Sequence, residues 1–207
     1  MGAVTDHYFT AAPASAEERR PLEVLLAGRR LTVTTAGGIF SPDRVDVGTG
    51  VLLREAPAPP TSGTFLDLGC GWGPIALSLA LLAPESTVYA VDVNERSLDL
   101  TRANADTLGV GDRVVAARPE DVPPDVCFDL VWSNPPIRVG KEVLHEMLRT
   151  WLPRLTPDGE AYLVVQKNLG ADSLQRWVVD QGGPLAGLGC DRYETARGFR
   201  VLRVSHR

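Results

Sequence analysis

Three short stretches of the chain carry residue types whose spacing has chemical use. The first, Phe65-Leu66-Asp67-Leu68-Gly69-Cys70-Gly71-Trp72-Gly73-Pro74-Ile75, reads as the end of a strand, a glycine-rich turn and a helix start. Glycines let a backbone approach a ligand closely and take positive φ. A dinucleotide site has GxGxxG, which sets a pyrophosphate on the helix N-terminus. Here the spacing is GxGxG, and Asp67 stands two residues before the first glycine. An acid there repels a diphosphate and suits a ligand with a cationic amino acid portion. The second is Asp92, which closes the next apolar run 19 residues after Gly73, where an acid can accept both hydroxyls of a ribose. The third is Ser133-Asn134-Pro135-Pro136-Ile137. Two prolines fix the backbone there, so the Asn134 amide and the Pro135 carbonyl are expected as two immobile acceptors, matched to the two hydrogens of an NH2 group. An amine held by both hydrogens aims its lone pair outward, in line for attack on an electrophilic methyl. Turn glycines, a helix-capping Asp92 and a plain Asn-Pro-Pro turn are the structural alternatives. The coincidence of all three at strand ends favours a site.

Such residues need strands to carry them. From Thr64 onward short apolar runs alternate with helical patterns: strands are expected at Thr64–Leu68, Thr87–Val91, Val114–Ala117, Phe128–Trp132 and Ala161–Val165. Helices are expected at Pro74–Leu82, from the Asn94 cap to about Leu108-Gly109, at Lys141–Leu152 and at Ser173–Asp180. The pattern predicts an α/β fold, a doubly wound, mostly parallel, seven-stranded sheet with helices on both faces. Asp191–Thr195 and Phe199–Val204 follow one another without a helix and predict an antiparallel strand pair at the C-terminal end. Ahead of Ala56-Pro57-Ala58-Pro59-Pro60, a stiff linker, residues 1–60 form an N-terminal extension: a hairpin of Leu22–Leu26 and Arg30–Thr35 around Ala27-Gly28-Arg29, then a short helix at Asp46–Arg54. Residues 61–207 form the ligand-binding domain.

Composition bounds the rest. The 207 residues, 44% apolar and 23% charged, suit one globular domain with an appendage. The longest apolar run, Ile75–Ala83, is far shorter than a membrane helix needs. The start MGAVTDHYFT has no basic or apolar signal segment, and Asp6 stands where a myristoylation signal has Ser or Thr, so a cytoplasmic protein is expected. Cys70, Cys127 and Cys190 lack CxxC spacing and are expected to be reduced thiols, with no metal site. The net charge of -5 is uneven: residues 61–137 hold 4 basic and 11 acidic residues, residues 138–207 hold 11 and 8. An acidic middle disfavours a polyanion lying across it, while the basic C-terminal third could meet one, although scattered arginines on a solvated surface account for it equally.

Taken together, the glycine loop and the Asn-Pro-Pro motif resemble the class I S-adenosylmethionine-dependent methyltransferases, and among them the group whose NPP motif marks methylation of planar amino or amide nitrogens. SNPPIRVGKEVLHEML, GEAYLVVQK and RGFRVLRV, with HYFT and GIFSPDRVDVGTGVLL nearer the N-terminus, are similar to the small methyltransferase domain of bacterial ribosomal RNA guanine-N2 methyltransferases. The resemblance covers nearly the whole chain. It implies S-adenosylmethionine as cofactor, with Asp67, Gly69 and Gly71 at its methionine end, Asp92 and Val93 at the ribose, Glu120-Asp121-Val122 at the adenine, and Asn134, Pro135 and Pro136 holding the target amine as the catalytic group. Thr49 would face the cofactor. Ile137 stands where many members have an aromatic ring, so stacking on the base must come from another group, or binding must rest on RNA shape and charge.

The implied activity is methyl transfer to an exocyclic base amine of RNA, guanine N2 of 16S ribosomal RNA, with RNA or a ribosomal subunit as partner, no membrane and no metal. Ile137, Arg138, Lys141, Lys167 and Arg200 are the expected substrate contacts; Gln166 also lies at a strand end. The same motif fits a protein glutamine amide, although those enzymes usually have Tyr after the prolines. A non-catalytic RNA-binding copy of the domain is the third reading, but silent copies tend to lose the glycine loop or the NPP motif. Trp72 either covers the cofactor or packs, and His145 reads as a surface or packing residue.

Overall fold

The computed structural model of the protein describes residues 18–207 except Gln181 and the side chain of Arg138. The HYFT string lies outside the described residues. The chain runs through β1 (Arg20–Leu26), β2 (Arg29–Thr35), α1 (Val47–Glu55), β3 (Ser62–Leu68), α2 (Pro74–Leu82), β4 (Glu85–Val91), α3 (Glu95–Thr107) and β5 (Val114–Ala117). It continues through β6 (Phe128–Ser133), α4 (Lys141–Trp151), β7 (Leu155–Gln166), α5 (Ala171–Asp180), β8 (Leu188–Ala196) and β9 (Phe199–His206). β1 and β2 form the expected hairpin, turning at Ala27 and Gly28, both at positive φ. The other seven strands form one sheet in the order β5-β4-β3-β6-β7-β9-β8. β3 to β7 are parallel, and β9 runs antiparallel to both β7 and β8.

The order of connection reverses between β3 and β6, and in open α/β sheets ligands bind beyond the strand C-termini at such a point. Short-range chemistry builds this edge. Pro74 opens α2 behind Gly73, whose φ of 93° suits glycine, and a Cβ there would lie 3.0 Å from Thr101 Oγ1. Asn94 caps α3 by accepting from the Arg96 and Ser97 amides. Ser133 Oγ donates to Leu68 O at 2.7 Å and ties the ends of β6 and β3 together.

The N-terminal extension joins the same core. Val24, Leu26, Val33, Val51 and Leu52 are buried with Phe65, Leu77 and Leu98 on one face of the sheet. The buried Asn104 of α3 accepts from Thr34 N at 2.7 Å and donates to Thr34 O and to Trp72 O. Asn94 Nδ2 and Arg96 Nη1 donate to the Gly38 and Gly37 carbonyls. These bonds hold the segment between β2 and α1 beside the glycine loop. Among the described residues no helix is long and apolar enough to cross a membrane.

Candidate functional site

A cleft of about 1100 Å³ opens at the switch point. Leu68, Gly69, Asp92, Val93 and Pro119 line one end, Asn134 to Ile137 the middle, and residues of α4, the end of β7 and the start of β9 the other. The Gly69 and Cys70 amides donate to Val91 O, folding the loop back over β4. Asp92 then braces it: Oδ2 accepts from Gly71 N and Oδ1 from Asn94 N, each at 2.9 Å. Gly69 and Gly71 have φ of 83° and 57°, and a Cβ at either would meet nothing within 4 Å, so the space above the loop is open.

Asp67 does not line the cleft, contrary to the expectation that it meets a ligand directly. It is fully buried under the loop, where Oδ2 accepts from Ala76 N at 2.9 Å at the start of α2 and Oδ1 has no partner. Burial pushes its carboxyl up to about 8, opposed by the Ala76 N–H and helped by the neighbouring Asp92 charge. Burial also raises Asp92. An aspartate in the unfolded chain titrates near 3.9. Between about pH 4 and pH 8 the folded protein therefore keeps a proton that the unfolded chain has lost, so stability falls as the pH rises through that window and levels off above it. Denaturant unfolding of the ligand-free protein from pH 5 to 8.5 should show this fall, and Asp67→Asn, which has no proton to lose, should flatten much of it. An unchanged slope in Asp67→Asn would assign the effect elsewhere.

Asn134 stands at the middle of the cleft. Its Nδ2 donates to Asp46 Oδ2 at 2.9 Å and to Thr49 Oγ1 at 3.0 Å. Both amide hydrogens are thus taken, a flip of the side chain would set its oxygen against the Asp46 carboxylate, and the group it can present is its carbonyl oxygen. The second expected acceptor is partly occupied: Pro135 O accepts from Ile137 N at 2.8 Å in a tight turn, which leaves one of its two lone pairs.

Asp46 was not among the residues singled out from sequence. It caps α1 by accepting from Gly48 N and Thr49 N, while the same Oδ2 holds Asn134. Its capping pattern is visible locally; its bond to Asn134, 88 positions away, is not. Thr49 is buried on the glycine-loop side of Asn134, in a small hollow shared with Phe40, Gly69, Gly71 and Trp72. Its hydroxyl serves the amide.

The remaining expectations divide. Val93, Pro136 and Ile137 line the cleft, as does Gln166. Pro119 lines it too, but Glu120 and Asp121 lie exposed outside it, with Glu120 paired to Arg118, because the short turn Pro119–Asp121 directs its acids outward. Lys141 and Lys167 are exposed at the starts of the segments after the two cleft strands, β6 and β7. Arg200 is corrected most: its side chain is 8% exposed and forms an ion pair with Asp172, since its position in β9 points it to α5, which carries that acid. It is not available to a phosphate. The Arg138 side chain lies outside the described residues. Trp72 packs, 1% exposed, with Nε1 donating to Ser41 O, and His145 stacks on Trp177 at 3.7 Å. Among the described residues no cluster of three or more His, Cys, Asp or Glu is placed to hold a metal ion, and all three cysteines are free.

Comparison with known proteins bears on the family and the fold. The family model described as "Methyltransferase small domain" matches residues 30–185. The Bacillus subtilis protein YbxB, named as uncharacterized, is 33% identical over 172 residues, covering 82% of this chain and 86% of its own length. The ribosomal RNA small subunit methyltransferase C of Pseudomonas entomophila is 30% identical over 204 residues, 97% of this chain but 58% of that protein. The chain thus spans little more than half the length of this curated relative. Among solved structures, the 16S rRNA N2 methyltransferase of T. thermophilus, in complex with AdoMet and guanosine, superposes with a TM-score of 0.76 at 22% identity, over 94% of this chain and 52% of that one. At that identity the likeness speaks for the fold.

Proposed function

The chain belongs to the family of the methyltransferase small domain, and on that premise we propose that it transfers the methyl group of S-adenosylmethionine to an exocyclic amine of an RNA base, guanine N2 of 16S ribosomal RNA being the specific target. S-adenosylmethionine is the cofactor of the family, and the residues present fit it. The open space over Gly69 and Gly71 admits a ligand against the backbone. Asp92 is held at the cleft by two backbone amides with lone pairs remaining for ribose hydroxyls. Leu68, Val93 and Pro119 supply apolar surface beside it, and the buried Asp67 supports the turn from beneath, its Oδ2 accepting from Ala76 N. When bound, the cofactor supplies an electrophilic sulfonium methyl.

The observation that carries the reading is the immobilised Asn134 amide. Its oxygen takes one hydrogen of the incoming amine, the free lone pair of Pro135 O takes the other, and the nitrogen lone pair is left directed along the line of attack. Pro135 and Pro136 keep both acceptors from relaxing. With the cofactor bound, the N–C bond would form as the S–C bond breaks, S-adenosylhomocysteine would be the leaving group, and the surplus proton of the amine would pass to solvent; positioning performs the catalysis and no nucleophilic side chain takes part. Relatives named as ribosomal RNA methyltransferases support RNA as the substrate class, and the exposed Lys141 and Lys167 suit phosphates.

Incubating the protein with labelled cofactor and either total RNA or ribosomal subunits from a strain lacking the gene, followed by nucleoside analysis, tests this. Label in N2-methylguanosine is expected. Affinity for that RNA should fall with salt at a log-log slope of about -0.7 to -0.9 per phosphate neutralised. Label confined to a protein fraction, or a flat salt response, would sink the RNA reading in favour of a glutamine amide.

A further inference from the structure

A ligand site for one small molecule commonly occupies about 300–1,000 Å³; this cleft exceeds that and continues past Asn134 along an apolar wall of Ile137, Val143, Met147, Leu169 and Phe199. Resting on the RNA-base reading above, we propose that Phe199 is the platform on which the target base stacks while Asn134 holds its amine.

The residue after the prolines is Ile137, which has no ring and packs in part against the core beneath α4. Of the cleft's aromatic side chains, Trp151 is 3% exposed and has no face to offer, and Phe40 sits on the segment before α1, beside the glycine loop. Phe199 is half-buried at the start of β9. A Cβ added at Gly48 would lie 3.0 Å from Phe199 Cε1 and 3.2 Å from Asn134 Oδ1. The ring edge and the acceptor oxygen therefore flank the same stretch of backbone, and glycine at 48 is what lets them approach it.

That juxtaposition matches the geometry of a nucleobase. An exocyclic amine lies in the plane of its ring, so an acceptor for its hydrogens must lie near that plane while a stacking partner covers the face. A ring beside the acceptor can serve as that partner. A glutamine amide has no ring-sized face to use such a platform. Phe199 is also fixed before any substrate arrives: it pairs with Gln166 in the sheet, and Lys167 N donates to Gly198 O at 2.9 Å, tying the β8–β9 turn to the end of β7. A preordered ring avoids part of the entropy cost of binding.

The test compares Phe199→Leu and Phe199→Tyr with wild type, using 16S ribosomal RNA from the deletion strain as substrate and S-adenosylhomocysteine calorimetry as the fold and cofactor control. Phe199→Leu should lower kcat/KM for the RNA about 30-fold, mostly through KM, within the range one base–aromatic stack is worth. Phe199→Tyr should return it to within about threefold of wild type, with S-adenosylhomocysteine affinity unchanged within about twofold in both. If wild type methylates the RNA and Phe199→Leu does so equally well, the platform is overturned and the RNA reading stands. If Phe199→Leu loses S-adenosylhomocysteine affinity as much as RNA turnover, Phe199 serves the scaffold and the platform is likewise overturned. If wild type methylates no RNA, the RNA reading fails and this proposal with it.

Discussion

Asn134→Ala is expected to lower the single-turnover rate of methyl transfer by about 10² to 10³, the usual loss when one preorganised polar contact to the reacting group is removed. RNA affinity, spread over many phosphates, should hardly change, and neither should cofactor affinity. The surroundings of the amide sharpen the experiment. Asn134→Asp keeps an acceptor oxygen but places a second carboxylate where Nδ2 now donates to Asp46 at 2.9 Å. Like charges at that distance repel, so Asn134→Asp should be as slow as the alanine variant near neutral pH and partly recover as the pH falls and the pair shares a proton. Asp46→Ala removes one of the two bonds that set the amide's orientation and should also slow turnover, by a smaller factor. It should in addition cost about 1 kcal/mol of stability from the lost cap of α1. A wild-type single-turnover rate in Asn134→Ala, or a loss confined to RNA binding, would reduce the Asn-Pro-Pro segment to a structural turn.

Asp92→Ala should act on the opposite partner. Its carboxylate makes two hydrogen bonds that brace the glycine loop and helix α3, and it is also the residue proposed for the ribose. A hydrogen bond to a charged group is worth about 1.5–3 kcal/mol, so removal should weaken S-adenosylmethionine and S-adenosylhomocysteine binding about 100-fold by calorimetry. RNA affinity should stay the same. Asp92→Asn keeps an acceptor for only one of the two backbone amides and should fall between wild type and alanine. Retained cofactor affinity in Asp92→Ala would mean that the carboxylate is a structural brace alone. The Asn134 and Asp92 variants together separate the two ligands: one moves turnover without cofactor affinity, the other the reverse.

Much of this molecule was legible along the chain because its signals are local. Strand and helix positions follow from runs of four to a dozen residues, and the expected strands are all present; Val114–Ala117 is unchanged, and the others are lengthened at one or both ends where pairing continues past the apolar centre: β7 runs Leu155–Gln166 around the expected Ala161–Val165. The glycine loop, the Asn94 cap and the antiparallel β8–β9 pair are likewise products of neighbouring residues.

What the sequence by itself determined, then, was the class of fold and the identity of the groups at its switch point, since glycine's tolerance of positive φ, proline's rigidity and the period of apolar residues are properties of short segments. The tertiary structure alone decided how those groups are used. It buried Asp67 beneath the loop that was expected to expose it, and turned Arg200 inward to Asp172. It also brought Asp46, Thr49 and Phe199 to Asn134 from distant parts of the chain. The physical reason is that burial and hydrogen-bond partnership depend on which elements pack side by side, and a contact across 88 residues leaves no periodicity in the residues between.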